Sequence, residues 1–397
     1  MINLPVVSPA SQPEKPDSQN IGNMDINGSD PAGLQTAEQL APVKFPPRQS
    51  RRVYIGNVPV GGGAPISVQT MTKTKTSDVN ATVKQILQAA EAGCDIVRVT
   101  VNDKEAAAAI GEIVKQSPLP VVADIHFNHV FALRALEGGV AKVRLNPGNI
   151  GSVDRIRQVL SLARERRAPI RIGVNSGSLE KDILEKHGYP TAEALYESAM
   201  RHAGICEEND FHDVIISVKS TDVRLMIEAY RLIAQRTDYP LHLGVTEAGP
   251  TRIGTIKSSV GIGTLLSEGI GDTIRVSLTD DPVKEVEVGK EILRSLGLAT
   301  RNVELIACPT CGRLEVDLFS ITQQLEERLS GVKKPVKIAI LGCVVNGPGE
   351  ASEADIGVAC GKGVGILYRK GEVIRRVKEE EIVDAVVEEV GKYQPQD

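Results

Sequence analysis

Three cysteines in the last quarter of the chain have the type and spacing of metal ligands. Cys308 and Cys311 form a C-P-T-C motif directly after a predicted strand, and Cys343 follows in L-G-C-V-V-N-G-P-G-E. Glycine and proline around them allow the backbone to wrap closely around a bound group. Two thiolates at this spacing and a distant third fit a 4Fe-4S cluster in which one iron lacks a cysteine ligand.

Spacing alone leaves other uses of these cysteines open. A structural zinc site would take Cys360 as its fourth ligand, although such sites prefer two closely spaced pairs. A thioredoxin-like redox motif would need only the C-x-x-C pair, and the three thiols could also be unligated. Cys94 and Cys206 are interpreted as ordinary packing residues.

The elements that must position such chemistry follow a regular order. Eight β-rich runs alternate with helix-like stretches such as Val79–Ala92, as is typical of a (β/α)8 barrel. The runs begin at Ile66, Asp95, Pro120, Ala141, Ile170, Val214, Leu241 and Asp272. A doubly wound open sheet is the alternative, but Leu266 occupies the third glycine position of a dinucleotide fingerprint. We therefore predict an α/β fold, a TIM barrel followed by a small α+β iron–sulfur unit.

Charged residues lie on nearly every predicted barrel strand, mostly toward the C-terminal end, where barrel active sites are built. Charges buried in strands are costly unless they are used. The cations of this set are Arg98, Arg144, Arg171, Lys219 and Arg275. A ring of arginine and lysine at one mouth predicts a multiply anionic, phosphate-bearing ligand. The alternative is that each charge belongs to an internal ion pair.

Further polar residues are predicted at the same mouth. Asp124 and His126 would share one strand face and orient substrate or relay protons, although a packed histidine is the alternative. Glu247 is a candidate general acid on the seventh strand. Amide side chains come from Gln69, Asn146 and Asn175.

The segment Gly254–Gly263, after the seventh strand, is predicted to be a phosphate-binding loop because it contains Ser258, Ser259 and several glycines. Pro282–Leu296 is predicted to be the helix that closes the barrel.

The chain divides into three predicted regions: a disordered tail (residues 1–48), the barrel (49–298) and a cluster domain (299–397). The tail is rich in proline, serine and amide residues and has no apolar period. The cluster domain is predicted as strand, cysteine turn, helix Ser320–Ser330, strand, glycine turn, two short strands and helix Glu379–Val390.

Composition excludes several classes of partner. The net charge of −5 and the absence of tryptophan argue against nucleic acid, which needs a basic footprint and stacking surfaces. No apolar run approaches the ~18 residues that a membrane span requires. The N-terminus lacks the basic and apolar regions of a secretory signal. We expect a cytoplasmic protein.

The motifs ACPTCGR at Ala307 and GCVVNGPGE at Gly342 closely resemble those of the 4-hydroxy-3-methylbut-2-enyl diphosphate synthase family, called IspG or GcpE. The resemblance extends from roughly Ser50 to the C-terminus. Its barrel motifs include VQTMT at Val68, ADIHF at Ala123, RLNPGNIG at Arg144, RIGVNSGSLEKD at Arg171 and GVTEAG at Gly244.

The resemblance implies a reaction and roles for residues. The family reductively opens 2-C-methyl-D-erythritol 2,4-cyclodiphosphate, with two electrons passing singly through a 4Fe-4S cluster from flavodoxin or ferredoxin. The cluster ligands would be Cys308, Cys311 and Cys343, with Glu350 on the fourth iron. The basic residues would hold the diphosphate, and Glu247 would handle protons. The bacterial two-domain form implies a homodimer in which one subunit's cluster domain caps the other's barrel.

Two rival functions stay open at this point. One is a metal-independent barrel lyase acting on a sugar phosphate, with a structural zinc domain at the C-terminus. The other is an iron–sulfur electron carrier, which would not need a phosphate-binding ring.

Overall fold

The structure is a computed structural model that describes residues 46–299, 302–345 and 347–394. The predicted tail lies outside the described residues except for its last three. Of these, Arg48 donates to the backbone oxygens of Ala234 and Tyr239, each at 3.0 Å. No helix within the described ranges is long and apolar enough to cross a membrane.

A short hairpin covers the N-terminal end of the barrel. Strands β1 (Val53–Ile55) and β2 (Val58–Val60) pair antiparallel around Gly56, whose φ of 60° favours glycine. The hairpin packs against early residues of three barrel strands, namely Ile96, Val122 and Ile215. Because apolar side chains fill this end, polar chemistry is confined to the other end of the barrel.

Eight parallel strands form the barrel, which confirms the predicted fold class. They are β3 (Ser67–Met71), β4 (Ile96–Thr100), β5 (Val121–Asp124), β6 (Lys142–Arg144), β7 (Ile170–Asn175), β8 (Val214–Lys219), β9 (His242–Leu243) and β10 (Thr273–Ile274). Strands β3 to β8 each pair with the next along the chain, β9 pairs with β10, and β10 pairs with β3. A parallel bridge between Ile216 and Leu241 joins β8 to the segment that leads into β9.

Helices cover the outside of the barrel. They are α1 (Val79–Glu91), α2 (Lys104–Gln116), α3 (His129–Glu137), α4 (Val153–Glu165), α5 (Lys181–His187), α6 (Ala192–Glu208), α7 (Val223–Arg236), α8 (Thr251–Ser267) and α9 (Pro282–Ser295). Asp78, Asp103 and Asp222 cap the first turns of their helices with side-chain oxygens. Both α5 and α6 lie between β7 and β8, which explains the longest gap between predicted strands.

The predicted phosphate-binding loop Gly254–Gly263 is instead part of helix α8, so this prediction is wrong. Two of its three glycines, Gly254 and Gly261, serve close packing rather than loop flexibility. A Cβ on Gly254 would lie 2.6 Å from Cδ2 of Leu278, and one on Gly261 would lie 2.8 Å from Cε of Met226. Ser258 is fully buried on this helix and therefore does not face a ligand in solvent.

The C-terminal region contains a five-stranded sheet with helices. Its strands are β11 (Val303–Ala307), β12 (Val336–Leu341), β13 (Ile356–Gly361), β14 (Val364–Arg369) and β15 (Glu372–Lys378). The first three are parallel, and β14 and β15 complete the sheet as antiparallel strands. The helices are α10 (Leu318–Leu329), α11 (Gly347–Ser352) and α12 (Ile382–Lys392).

Two details of this region differ from prediction. Three strands rather than two follow the glycine turn, because Ile356–Gly361 forms a buried strand of its own. The segment predicted as a glycine turn also contains α11. Pro348 lies in the first turn of this short helix, where a missing N–H is tolerated.

Candidate active site

Buried charged side chains occupy the end of the barrel opposite the β1–β2 hairpin. Arg98, Asp124, Arg144 and Lys219 lie on β4, β5, β6 and β8, and each is less than a tenth exposed. Because the C-terminal ends of barrel strands meet at one mouth, these side chains form one site.

Arg171 lies earlier on its strand than predicted. It is the second residue of β7, so it is near the start of its strand rather than at the C-terminal end. It is 2% exposed and pairs in register with Arg144 of β6. Arg171 therefore lies beside Arg144, the last residue of β6, although it comes early on its own strand.

Asp124 is shared among the cations. Its Oδ1 lies 3.3 Å from Nη1 of Arg144, and its Oδ2 lies 3.7 Å from Nε of Arg98. Burial disfavours the charged carboxylate, but Arg98 and Arg144 outweigh this effect and hold the pKa of Asp124 below its usual value. Asp124 is therefore an anion at neutral pH.

The remaining positive charge is not matched. Among the described residues, Nε and Nη1 of Arg171 have no hydrogen-bond partner. Burial lowers the pKa of Lys219, and the nearby Arg171 and Arg275 lower it further. Arginine stays charged in proteins, so the site has an excess of buried hydrogen-bond donors and positive charge. Such a site attracts an anion.

Arg275, in contrast, has an internal partner. Its Nη2 lies 3.1 and 3.2 Å from the two carboxylate oxygens of Glu285 on α9, which is 1% exposed. Glu285 also accepts hydrogen bonds from Thr70 and from the backbone N–H of Leu278. The alternative of an internal ion pair thus describes Arg275 better than it describes Arg171.

Glu285 was missed by the sequence analysis, although a signal existed. It falls on the apolar face of α9, in phase with the buried residues Val286, Gly289 and Ile292. A carboxylate on the buried face of a helix indicates that a buried cation lies in contact with it.

Asn146 fastens the loop after β6 to β7. Its Nδ2 donates to the backbone oxygen of Gly173 at 3.2 Å, and its Oδ1 accepts from the N–H of Gly173 at 2.9 Å. A Cβ on Gly173 would lie 2.6 Å from Nε of Arg144, so glycine leaves room for that guanidinium. Asn175 ends β7 and is partly buried.

His126 and Glu247 are more exposed than the strand residues. His126 follows β5 rather than lying on it, and its Nε2 is 3.7 Å from Oδ1 of Asp124. Burial lowers the pKa of His126 despite the nearby Asp124. Glu247 lies in the loop after β9, is exposed, and has a φ of 50°, which is unusual for a residue other than glycine.

Two further buried residues were not predicted. Lys142, at the start of β6, is 0% exposed and donates to Oε1 of Gln69 at 3.2 Å. His242 on β9 is also fully buried, and neither ring nitrogen has a partner among the described residues. Successive strand residues alternate in direction, so the two-residue spacing from Arg144 could have placed Lys142 inside the barrel.

A separate contact holds the mouth loops in place. His202 of α6 accepts a hydrogen bond at Nδ1 from the N–H of Gly148 (3.2 Å), in the loop after β6. Its Nε2 lies 2.9 Å from Oε1 of Glu180, in the loop after β7. Ser198 donates to the other oxygen of Glu180 at 2.7 Å.

The three predicted cysteine ligands line one cavity of about 150 Å³, together with Glu350. Cys308 and Cys311 come from the segment after β11, Cys343 follows β12, and Glu350 lies on α11. The N–H of Gly342 donates to Sγ of Cys308 at 3.4 Å. A hydrogen bond from Arg313 lowers the pKa of Cys311, which favours its thiolate.

This donor set fits an iron–sulfur cluster better than a single metal ion. Among the described residues, no three His, Cys, Asp or Glu side chains are close enough together to hold one ion. The ligands of a 4Fe-4S cluster bind different irons, so they need not meet at one point. Only glycine fits at position 342 beside this cavity, since a Cβ there would lie 2.4 Å from Cδ1 of Leu314.

The other cysteines lie elsewhere. Cys360, the fourth ligand of the zinc alternative, is fully buried in β13 and is not among the described residues that line the cavity. Burial raises the pKa of Cys360 to about 12 and that of Cys94 to about 11. Cys206 is buried on α6. These thiols are neutral packing groups at physiological pH.

Two family profiles together match most of the chain. One is described as the GcpE TIM-barrel domain and matches residues 50–290. The other is described as the GcpE protein C-terminal domain and matches residues 304–392.

Relatives that share one name come from several bacteria. The Clostridium perfringens protein "4-hydroxy-3-methylbut-2-en-1-yl diphosphate synthase (flavodoxin)" is 58% identical over 340 residues, covering 86% of this chain and 97% of that protein. The Thermodesulfovibrio yellowstonii and Geobacter sulfurreducens proteins are each 55% identical, covering 87% of this chain and 99% and 98% of those proteins. These matches confirm the resemblance that the motifs indicated: the chain belongs to the GcpE family.

Proposed function

We propose that this chain is an oxidoreductase that reductively opens 2-C-methyl-D-erythritol 2,4-cyclodiphosphate to 4-hydroxy-3-methylbut-2-en-1-yl diphosphate, in the non-mevalonate isoprenoid pathway. The observation that carries the proposal is the buried excess of positive charge in the barrel, where Asp124 is shared by two arginines and Arg171 keeps unpartnered donors. A diphosphate supplies the missing negative charge. The name shared by relatives 55–58% identical to this chain supports the same reaction.

The substrate-binding role is proposed for the polar residues of the barrel. They are Arg98, Asp124, His126, Arg144, Asn146, Arg171, Asn175, Lys219 and Arg275. Arg171 contributes most to phosphate binding because its charge is buried and least compensated, and Lys219 adds a buried amine on β8. Arg275 contributes less, because Glu285 already neutralises it. Asp124 orients Arg98 and Arg144 rather than touching phosphate, since two anions would repel.

Cys308, Cys311 and Cys343 are proposed to hold a 4Fe-4S cluster, with Glu350 as the fourth, exchangeable ligand. A cluster held there would relay two electrons from the donor to the substrate, one at a time. Flavodoxin is the proposed donor, supported by the name that the relatives share, and ferredoxin is the alternative.

Glu247 is proposed to supply a proton. The reaction removes a hydroxyl group as water, and the departing oxygen therefore needs a proton. The exposed carboxyl group of Glu247 can exchange protons with solvent, and its left-handed backbone indicates that the loop holds it in one orientation. Glutamate at this position would act as a general acid.

We also propose a cytoplasmic homodimer with the domain division 49–298 and 299–397. Twelve residues (296–307) connect α9 to Cys308, a reach of about 40 Å at ~3.4 Å per residue, so a partner's cluster domain meets the mouth more easily. Exposed apolar residues flank both sites: Phe127 at the mouth, and Val344 and Val345 beside Cys343.

Mixing inactive Cys343→Ser and Glu247→Ala chains tests this arrangement. Partial recovery of activity supports a shared site, and verified mixed dimers without activity contradict it.

The experiment that tests the proposed function is iron and sulfide analysis of protein purified without oxygen, followed by turnover of the cyclic diphosphate. A brown protein with equal iron and sulfide supports the cluster. A colourless protein that contains zinc favours the lyase alternative.

A further inference from the structure

Lys142 is a buried lysine with no anionic partner in the barrel interior. It is 0% exposed, and the Oε1 of Gln69, at 3.2 Å, is the one hydrogen-bond acceptor recorded for its amine in the described chain. Lys142 and Arg144 are two residues apart on β6, so both side chains point inward, with Lys142 further from the mouth.

The groups around Lys142 carry positive charge or none. Arg171 and Arg98 are the charges that act on it, and Lys142 in turn acts on the neighbouring His242. Asp124, the carboxylate on the adjacent strand β5, is already shared by Arg98 and Arg144. Burial lowers the pKa of Lys142 well below its usual value, and Arg171 and Arg98 lower it further.

These contacts favour a neutral amine while the mouth holds no ligand. An ammonium group buried beside two guanidinium groups and a single amide oxygen would be strongly disfavoured. A neutral amine can still donate to Gln69. Lys142 therefore differs from Arg171, which is buried in the same region but stays charged.

We propose that Lys142 takes up a proton when a diphosphate binds at the barrel mouth, which makes it a positioning residue that couples ligand binding to protonation. The proposal rests on the proposed function, because it assumes a diphosphate on Arg98 and Arg171. Negative charge on those arginines cancels the field that excludes a third buried cation. The charged ammonium of Lys142, on the inner side of the site, then attracts the bound anion as well.

The coupling has a definite sign. Ligand binding raises the pKa of Lys142, and by linkage a lower pH tightens ligand binding. The effect is confined to the pH range between the pKa of Lys142 in the free protein and its pKa in the complex. Within that range the dissociation constant rises by about tenfold for each unit of pH increase, as coupling to one proton requires.

The test is calorimetric titration of the cluster-loaded, full-length chain with the cyclic diphosphate under anaerobic conditions and without a reductant, so that the ligand binds but is not converted. Titrations between pH 7 and pH 9 in two buffers of different ionisation enthalpy give the number of protons taken up. The variants are Lys142→Met, which keeps the length of the side chain but cannot be charged, and His242→Gln, which removes the neighbouring titratable ring.

We expect the wild type to take up roughly one proton more than Lys142→Met over part of this range, and His242→Gln to retain that uptake. Equal uptake by wild type and Lys142→Met overturns the proposal, as does loss of uptake in His242→Gln alone. If Lys142→Met does not fold, Lys142→Gln is compared in the same way. A wild-type chain that binds no diphosphate overturns both this inference and the proposed function, whereas binding without extra uptake overturns only the inference.

Discussion

One carboxylate, Asp124, lies 3.3 Å from Nη1 of Arg144 through one oxygen and 3.7 Å from Nε of Arg98 through the other. Asp124→Asn should leave both guanidinium groups buried without a counter-charge. Removing one partner of a buried ion pair costs about 3–5 kcal/mol of unfolding free energy. Urea unfolding measures the loss, and added diphosphate should stabilise the variant more than the wild type. Equal stability of the two proteins would show that solvent already screens these charges.

Lys219→Met should weaken substrate handling without affecting the cluster. A charge-assisted hydrogen bond is worth about 1.5–3 kcal/mol, so kcat/KM for the cyclic diphosphate should fall by about tenfold or more. Arg231→Met is the matched control, because Arg231 is an exposed cation paired with Glu268 on the outer helices. Equal kinetics for Lys219→Met and the control would assign Lys219 a purely structural role.

Replacing Cys308, Cys311 or Cys343 by serine should abolish the visible absorbance of the cluster and reduce bound iron. Each substitution removes a thiolate from the cavity that these residues share with Glu350. Cys360→Ser is the matched control and should keep its iron, since Cys360 is buried within β13. Loss of iron in Cys360→Ser alone would mean that the proposed ligand set is wrong.

Acid should lower the stability of the protein by protonating Glu180, which links the loops at the barrel mouth. Burial disfavours its charged form, but hydrogen bonds from His202 and Ser198 outweigh this effect and lower the pKa of Glu180 to about 2. Because this pKa lies below the ordinary value of 4.5, the stabilisation is complete above about pH 4.5 and is lost as the pH falls toward 2.

Glu180→Gln should therefore lose less stability on acidification than the wild type. The carboxylate is partly solvated, so we expect a difference of only about 1–2 kcal/mol. Chemical unfolding at pH 7 and at about pH 2.5 measures it, with the exposed Glu193→Gln as the matched control. The same pH dependence in all three proteins would exclude Glu180 as a source of acid sensitivity.

The regular features of the fold were predictable from the sequence. β-rich runs gave all eight barrel strands, because buried parallel strands are continuous apolar segments. Helix α8 was missed because its glycines resemble a loop, and only the tertiary structure shows that Gly254 and Gly261 allow close packing. Helix α11 was missed for a similar reason, since Pro348 and its glycine neighbours are typical of a turn.

The site was predictable in its residue types but not in its pairing. Sequence position indicated buried cations on the strands, yet it could not show that Arg275 is neutralised by Glu285 while Arg171 is not. Lys142 was overlooked because it begins its strand, where a charge is usually solvated. Whether a buried charge is neutralised depends on partners distant in sequence, and only the three-dimensional structure identifies those partners.

Turnover of the cyclic diphosphate tests the central claim most directly. The full-length chain, purified without oxygen and supplied with reduced flavodoxin, should convert 2-C-methyl-D-erythritol 2,4-cyclodiphosphate to 4-hydroxy-3-methylbut-2-en-1-yl diphosphate, with two electrons consumed per product. Omitting the reductant should stop the reaction. Protein that carries iron and sulfide and binds the cyclic diphosphate, yet forms no linear product with any reductant, would contradict the proposed function.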